Sequence, residues 1–319
     1  MEDIRFYDFN FNLLHIESRI KSSNWLIYYN DIGKFELHFN AKNTELVDLI
    51  LNHDYLIAVQ GDMQSIITSK SFVQEGVIYG KTLNYLLYQR VTPQFKDLKS
   101  DVETMARQFV TDSCGDFITL GPVVGFTDQF SFWRNTYHPT SDVVRDCLKN
   151  DNAGYIVKFD PNNKQWIFQV LKGQQNPLVL SYGNRNVISI EYTEDGQNYY
   201  TGGWYQEAQE PDESGNTPEP IWKYITKDSS ITGINKRDTV LSSDNETEAT
   251  QELNKKEWEK KSKIKTQKIE WKKDYELGDV VRVQNQIGNW NHTENQRIIG
   301  IQLWFEDNDV GEQPILEVV

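Results

Sequence analysis

Over the first ninety residues, apolar positions alternate with polar ones at strand period rather than recurring at helical spacing. Ile4-Arg5-Phe6-Tyr7-Asp8-Phe9 reads as a strand, Asp8 to Asn12 supplies turn chemistry, and Leu13 to Ile20 returns as a second strand. Trp25 to Tyr29 makes a third, and Gly33 to Phe39 a fourth with Phe35, Leu37 and Phe39 on one face. The pattern then changes period: a short helix fits Thr44–Leu51, started by Asn43 or Thr44, with Leu46, Val47 and Ile50 on one side. Leu56–Val59, Met63–Ser69 and Gly76–Tyr79 complete a meander, Gly61-Asp62 being a tight hairpin turn, and a helix over Thr82–Arg90 closes this stretch.

The middle of the chain opens on a helix marked by Ser100-Asp101-Val102-Glu103, a capping box in which serine and glutamate satisfy each other's backbone donors. Val102, Met105, Ala106, Phe109 and Val110 follow at helical spacing and predict a buried face. A second helix, Asp142–Lys149, presents Val143, Val144, Cys147 and Leu148. A hairpin follows, Gly154–Phe159 and Gln165–Val170 around a turn at Asp160-Pro161-Asn162-Asn163, then strands at Val187–Tyr192 and Gly202–Tyr205. The stretch 207–220 is acidic and proline-bounded, without periodicity. Ser243 to Lys263 reads as a charged, solvated helix anchored by Ala249, Leu253 and Trp258, with a lysine-rich patch. Strand patterns return at Gly278–Val283, Gln296–Glu306 and Pro314–Val319, the last read as an edge or closing strand. No repeat of fixed period is visible. The fold class is therefore α+β, mostly β, divided as residues 1–90, 91–206, a 207–263 insertion and 264–319.

Composition narrows the function. With 38% hydrophobic and 13% aromatic residues the 319-residue chain has enough for ordered cores, and its length suggests more than one domain. No apolar run approaches the ~20 residues of a membrane-spanning helix, and the acidic start Met1-Glu2-Asp3 is unlike a secretory signal. A formal charge of −14 is the wrong sign for gripping nucleic acid through phosphates, though it suits a pore through which DNA slides. Cys114 and Cys147 read as reduced, partly buried thiols.

The search for chemistry returns no signature. Gly-x-Ser-x-Gly, Gly-x-x-x-x-Gly-Lys and His-Glu-x-x-His do not occur, and Gly121–Gly125 reads as a strand connection. His15, His38, His53, His138 and His292 are scattered, His38 on the face opposite Leu37 and Phe39. Glu306, Asp307 and Asp309 do not follow a calcium-loop spacing. The tryptophans fall at strand positions where packing is the ordinary role. No catalytic, cofactor-binding or metal-ligating residue is assigned, and no cofactor is expected.

The order of elements resembles one family. Ile4 to Leu14, then Trp25, Gly33-Lys34-Phe35-Glu36-Leu37 and Gly80 to Arg90 resemble the opening of siphophage tail hub (baseplate hub) proteins. Gly154–Val170, Val187–Tyr192, Asn198-Tyr199 and Tyr275-Glu276-Leu277-Gly278-Asp279-Val280-Val281 are similar to that family's later segments, so the likeness spans nearly everything outside 207–263. The resemblance implies two tube-like β-barrel domains with small α/β elements, the first near residues 1–90 and the second assembled from the middle and C-terminal strands. It implies a homotrimer whose six similar units continue a six-fold tail tube around a DNA-conducting lumen. Implied neighbours are a distal tail protein or tail-tube ring, a tape measure protein and a receptor-binding or tail-fibre protein, in a virion built in the host cytoplasm. Neither sequence-specific nucleic-acid binding nor a membrane span is expected. Larger relatives carry a hydrolase or receptor-binding extension for which this chain, ending at Val319, leaves no room. Two other readings stand beside it: a tail-associated cell-wall hydrolase, and a carbohydrate-binding baseplate protein touching the host through exposed tryptophans and the 207–220 loop.

Overall fold

A computed structural model describes residues 3–92, 98–132, 137–207, 209, 219, 221–306 and 309–319. The chain divides into two compact units, residues 1–191 with 262–319, and residues 192–261.

The larger unit begins with β1 (Ile4–Tyr7), β2 (Leu13–Glu17), β3 (Ile20–Tyr28), β4 (Lys34–Phe39), α1 (Thr44–Leu51), β5 (Ile57–Gln60), β6 (Met63–Phe72) and β7 (Gly76–Thr82). Alternation in β4 buries Phe35, Leu37 and Phe39, and the Trp25 and Phe35 rings meet at 4.1 Å between centroids. Buried Gln60 Oε1 accepts from Trp25 Nε1 at 2.8 Å and from Ser23 Oγ at 2.9 Å. Asn43 caps α1 by accepting from Leu46 N. Near the other end of α1, Lys70 Nζ donates to Ile50 O at 2.6 Å and to His53 O, a cation placed where helical carbonyls lack partners.

Two expectations change here. The strand read over 13–20 is broken, because buried Glu17 accepts from Arg19 N at 2.7 Å and turns the chain between β2 and β3. The helix read over 82–90 shrinks to α2 (Tyr85–Tyr88). Thr82 remains in β7, and Asn84 is fixed as a bracket, its Nδ2 donating to Asp31 O and its Oδ1 accepting from Val157 N at 2.8 Å.

The middle holds β8 (Val91–Thr92), β9 (Leu98–Ser100), α3 (Val102–Cys114), β10 (Ile118–Leu120), β11 (Phe130–Phe132), β12 (His138–Pro139), α4 (Thr140–Leu148), β13 (Gly154–Asp160) and β14 (Gln165–Leu171). The β13–β14 hairpin turns on Asp160, whose Oδ1 accepts from Asn162 N and Asn163 N. β10 pairs parallel with β14. The apolar stripes of α3 and α4 pack with Tyr155, Val157, Phe168 and Val170 in one core. The capping box is not formed as written. Asp101 caps α3 by accepting from Thr104 N at 2.8 Å. Glu103, 1% exposed, instead accepts from Val124 N and Gly125 N at 2.8 Å each. Its carboxylate thereby pins the coil that follows β10, which had read as a plain connection.

β15 (Gln175–Leu180) and β16 (Val187–Asp195) lead towards the smaller unit, which contains β17 (Gly202–Glu207), β18 (Ile221–Thr226), β19 (Asp238–Val240) and α5 (Glu246–Asn254). β17 lies between β18, antiparallel, and β19, parallel. Tyr205, Leu241, Ala249 and Leu253 form its core. The charged helix read over 243–263 is therefore corrected: α5 ends at Asn254, and β20 (Glu259–Thr266) follows as a strand. Ser262, Ile264 and Thr266 are buried on its inner face while Lys263 and Lys265 are exposed. Serine and threonine carry little hydrophobic signal, so this alternation reads as mere charge. Most of the acidic loop, 210–218, lies outside the described residues, as do Trp133 and Asp307.

The chain ends in β21 (Val280–Ile287), β22 (Trp290–Glu306) and β23 (Asp309–Val318). β23 is no edge: β22 flanks it on one side and β20 on the other. Among the described residues thirteen strands form one large sheet. Its order contains a repetition. The first half runs β3-β4-β7-β6-β5-β1 and the second β16-β20-β23-β22-β21-β15, the same succession position by position. The copies differ at one end, where β1 is antiparallel to β5 but β15 is parallel to β21. The smaller unit is inserted between β16 and β20, where the first half has only the short turn between β3 and β4.

Candidate assembly surface

The two halves are joined edge to edge by β3 and β22, antiparallel, from Gly300 opposite Tyr28 to Glu306 opposite Ser22. β22 is long enough to serve two neighbours in turn. Residues Trp290–Arg297 pair with β21, the register shifts between Ile298 and Gly300, and the rest turns to β3. Gly300 is needed at the shift, because a Cβ there would lie 2.8 Å from the Tyr28 ring. Beyond it the inward residues are apolar: Ile301 is fully buried opposite Ile27, and Leu303 is buried opposite Trp25.

Tyr29, the residue after β3, ties this junction to the middle region. Its hydroxyl donates toward Leu171 O at 3.0 Å and Asn152 O at 3.2 Å and accepts from Gly173 N at 2.9 Å. Burial pushes its phenol pKa up. Gly154 and Gly278 lie against its ring, each leaving no room for a Cβ, and Gly278 has φ +91°. Sequence reading missed Tyr29; the only hint is that glycines stand at 154 and 278 immediately before strand patterns.

β6 repeats the shape of β22 in the first half. Met63–Ile66 pair with β5, and the register against β7 shifts between Ile67 and Ser69. Ile67 N donates to Leu56 O at 2.9 Å just as Ile298 N donates to Asp279 O at 2.9 Å. Beyond the shift the correspondence ends. Ser69–Phe72 pair with β7 on one side only, and among the described residues no strand takes the other side. Thr68, Ser69 and Ser71 are exposed, and Val73 after them is 88% exposed. At the far end of the sheet β16 has, among the described residues, β20 as its one strand neighbour, and Ile188, Ser189 and Glu191 are exposed along it.

The candidate chemical groups are dispersed. His15 sits between Glu17 and Glu45, His38 between Glu36 and Glu75, and His292 beside Glu294. His53 Nδ1 lies 2.8 Å from Leu49 O, and His138 is in β12. Among the described residues no cluster of three metal-ligating side chains occurs. Cys114 and Cys147 are fully buried rather than partly so, and desolvation pushes their thiols up to about 11 and about 12. A cleft of about 710 Å³ in the larger unit is lined by both signs of charge, including Lys158, Asp160 and Glu276, with Lys272 and Asp62 paired at 2.8 Å. Burial raises the Glu276 carboxyl.

In the smaller unit, one face of the three-stranded sheet covers the core and the other carries aromatics. Trp204 and Trp222, 43% and 49% exposed, share the latter face with Tyr224. The Trp204 and Tyr224 rings lie 5.1 Å apart, and Lys236 Nζ sits 4.3 Å over the Tyr224 ring.

This architecture is that of prophage tail proteins. The chain superimposes along its whole length on the 43 kDa tail protein of prophage MuSo2 from Shewanella oneidensis, with TM-score 0.59, 12% identity and coverage of 100% of this chain and 98% of that one. A tail protein from Neisseria meningitidis MC58 gives TM-score 0.60 at 11% identity, covering 99% and 96%. Prophage tail protein gp18 from Listeria monocytogenes EGD-e gives 0.55 at 12%, covering 99% and 94%. No family model matches the sequence, and no curated protein is similar to it in sequence. The likeness is one of fold.

Proposed function

We propose that this chain is a structural tail hub (baseplate hub) of a phage, a non-enzymatic protein that forms a trimeric ring closing the tail tube. The observation that carries the reading is the repeated six-strand order, with the two copies already joined edge to edge. A chain holding two tube-like β units lets three copies present six similar units, so that a trimer matches a six-fold tube. The tail-protein fold along the full chain supports this. In the assembled tail such a ring contacts a distal tail protein or tube ring, the tape measure protein and a receptor-binding or tail-fibre protein. A net charge of −14 suits a lumen that passes DNA without holding it. Mass measurement in solution, with electron microscopy of the same sample, tests the reading. A trimeric ring of six-fold appearance is expected; a strict monomer at every concentration overturns it. A lumen lined mainly by lysine and arginine would remove the charge argument.

A second reading adds to this one: the aromatic face of the smaller unit contacts host glycans. Trp204, Trp222 and Tyr224 on one exposed sheet face favour it, since sugar rings stack on such surfaces. Binding of the intact protein to host cell-wall polysaccharide, lost in Trp204→Ala, tests it.

A further inference from the structure

The internal repetition specifies an interface that one chain leaves unmade. Aligning the two register shifts matches Ile67 with Ile298, Ser69 with Gly300, Lys70 with Ile301 and Phe72 with Leu303. The shared strand order matches β3 with β16. At the junction within the chain, β3 fills the side of β22 that opens beyond its shift. The equivalent partners are therefore β16 and the segment of β6 beyond its own shift, and among the described residues neither has a strand neighbour on that side. They do not meet within one sheet, because six strands lie between them, roughly 34 Å at ~4.8 Å per strand.

We infer that the Val187–Glu191 part of β16 adds antiparallel to residues 69–72 of β6 in a second copy of this chain, repeating between molecules the β3–β22 junction. The contact is heterologous, one edge offering the strand and a different edge receiving it, so repetition closes a ring or extends without limit. Each chain then contributes one junction within itself and one to its neighbour. Main-chain hydrogen bonds of the open edges supply the pairing. Exposed Ile188 on β16 and Val73 beside β6 supply apolar surface that assembly would cover. The chemistry at β6 is milder than at β22. Where β22 has Ile301 and Gln302, β6 has Lys70, its ammonium held at the end of α1, and exposed Ser71, so the open edge offers little apolar surface for promiscuous strand pairing. The inference rests on the trimeric-ring reading and names the surfaces that build it.

Cysteine crosslinking tests it. Ser71→Cys and Ser189→Cys, both at exposed positions, are made singly and together, and treated with a short bismaleimide. The native thiols are buried and give a low background. The double variant is expected to give a covalent ladder ending at trimer. An equal mixture of the single variants should give dimers, while each alone gives none. Crosslinks within a single variant would mean a symmetric contact and overturn the pairing. A trimer by mass without crosslinks in either the double variant or the mixture overturns the pairing while leaving the ring intact. A monomer by mass without crosslinks overturns both.

Discussion

Beyond its register shift β22 carries Gly300, Ile301, Gln302, Leu303, Trp304 and Phe305, whereas β6 carries Ser69, Lys70, Ser71 and Phe72. The two strands occupy the same place in the same strand order, and the difference follows from when each edge is covered. β22 meets β3 during folding of one chain, so its inward positions are apolar and buried, each such side chain contributing roughly 1.5–3 kcal/mol. The β6 segment lays Phe72 on the core but keeps Ser69 and Ser71 exposed along its open edge, where a long apolar run would be an aggregation site. The same topology thus holds one strand built into the core and one left at an open edge.

The comparison breaks most sharply at Trp25, which faces Leu303 across the junction and donates to Gln60. Trp25→Ala is expected to cost about 3–5 kcal/mol in denaturant unfolding; a loss below about 1 kcal/mol would mean that the junction is not part of the core. The matched pair comes next. Ile301→Ala should cost about 2–5 kcal/mol, and Lys70→Ala only about 0.3–1 kcal/mol through loss of its contact with the end of α1. Equal effects would erase the distinction between core and surface strands.

The smaller unit tests the repetition from another side. Replacing residues 196–258 with an Asn-Gly turn should leave a chain whose melting temperature falls by less than about 4 °C, because the smaller unit has its own core. Loss of cooperative unfolding would show that the second half needs its insertion where the first needs only a turn.

A smaller effect distinguishes the halves by pH. Glu312 in β23 is held by Tyr275 OH at 2.7 Å and Trp271 N at 3.1 Å, yet burial is the larger influence and raises its pKa above 4.5. The folded protein then keeps this proton at pH values where the unfolded chain has lost it. Its contribution favours folding at low pH and is lost as pH rises above 4.5 through the folded value. Unfolding titrations from pH 4 upward should show wild type losing stability relative to Glu312→Gln; parallel curves would contradict this. Last, Cys114 and Cys147 should resist a thiol reagent in the native protein and react on unfolding, which reports opening of the α3–α4 core.

The strands and helices with strong periodicity were legible because burial acts directly on residue type. Phe35, Leu37 and Phe39 in β4, and the stripe from Val102 to Val110 in α3, declare their faces one residue at a time. Signals that depend on a partner were not legible. Glu103 looked like half of a capping box until the coil at Val124-Gly125 supplied better donors. The inner face of β20 was hidden because Ser262 and Thr266 are polar by type and buried by position. By itself, then, the sequence determined that the chain is mostly β, where its clear strands and helices lie, and that no familiar catalytic signature is present. Only the tertiary structure decided that the first and last strands share one sheet, that β23 is interior, and that the sheet repeats itself. The reason is physical: a repeat of strand order keeps the backbone pairing and its register rather than burial or side-chain identity, so Lys70 stands where Ile301 does. Which edges find a partner is set by backbone hydrogen bonds, which every residue but proline offers on the same terms.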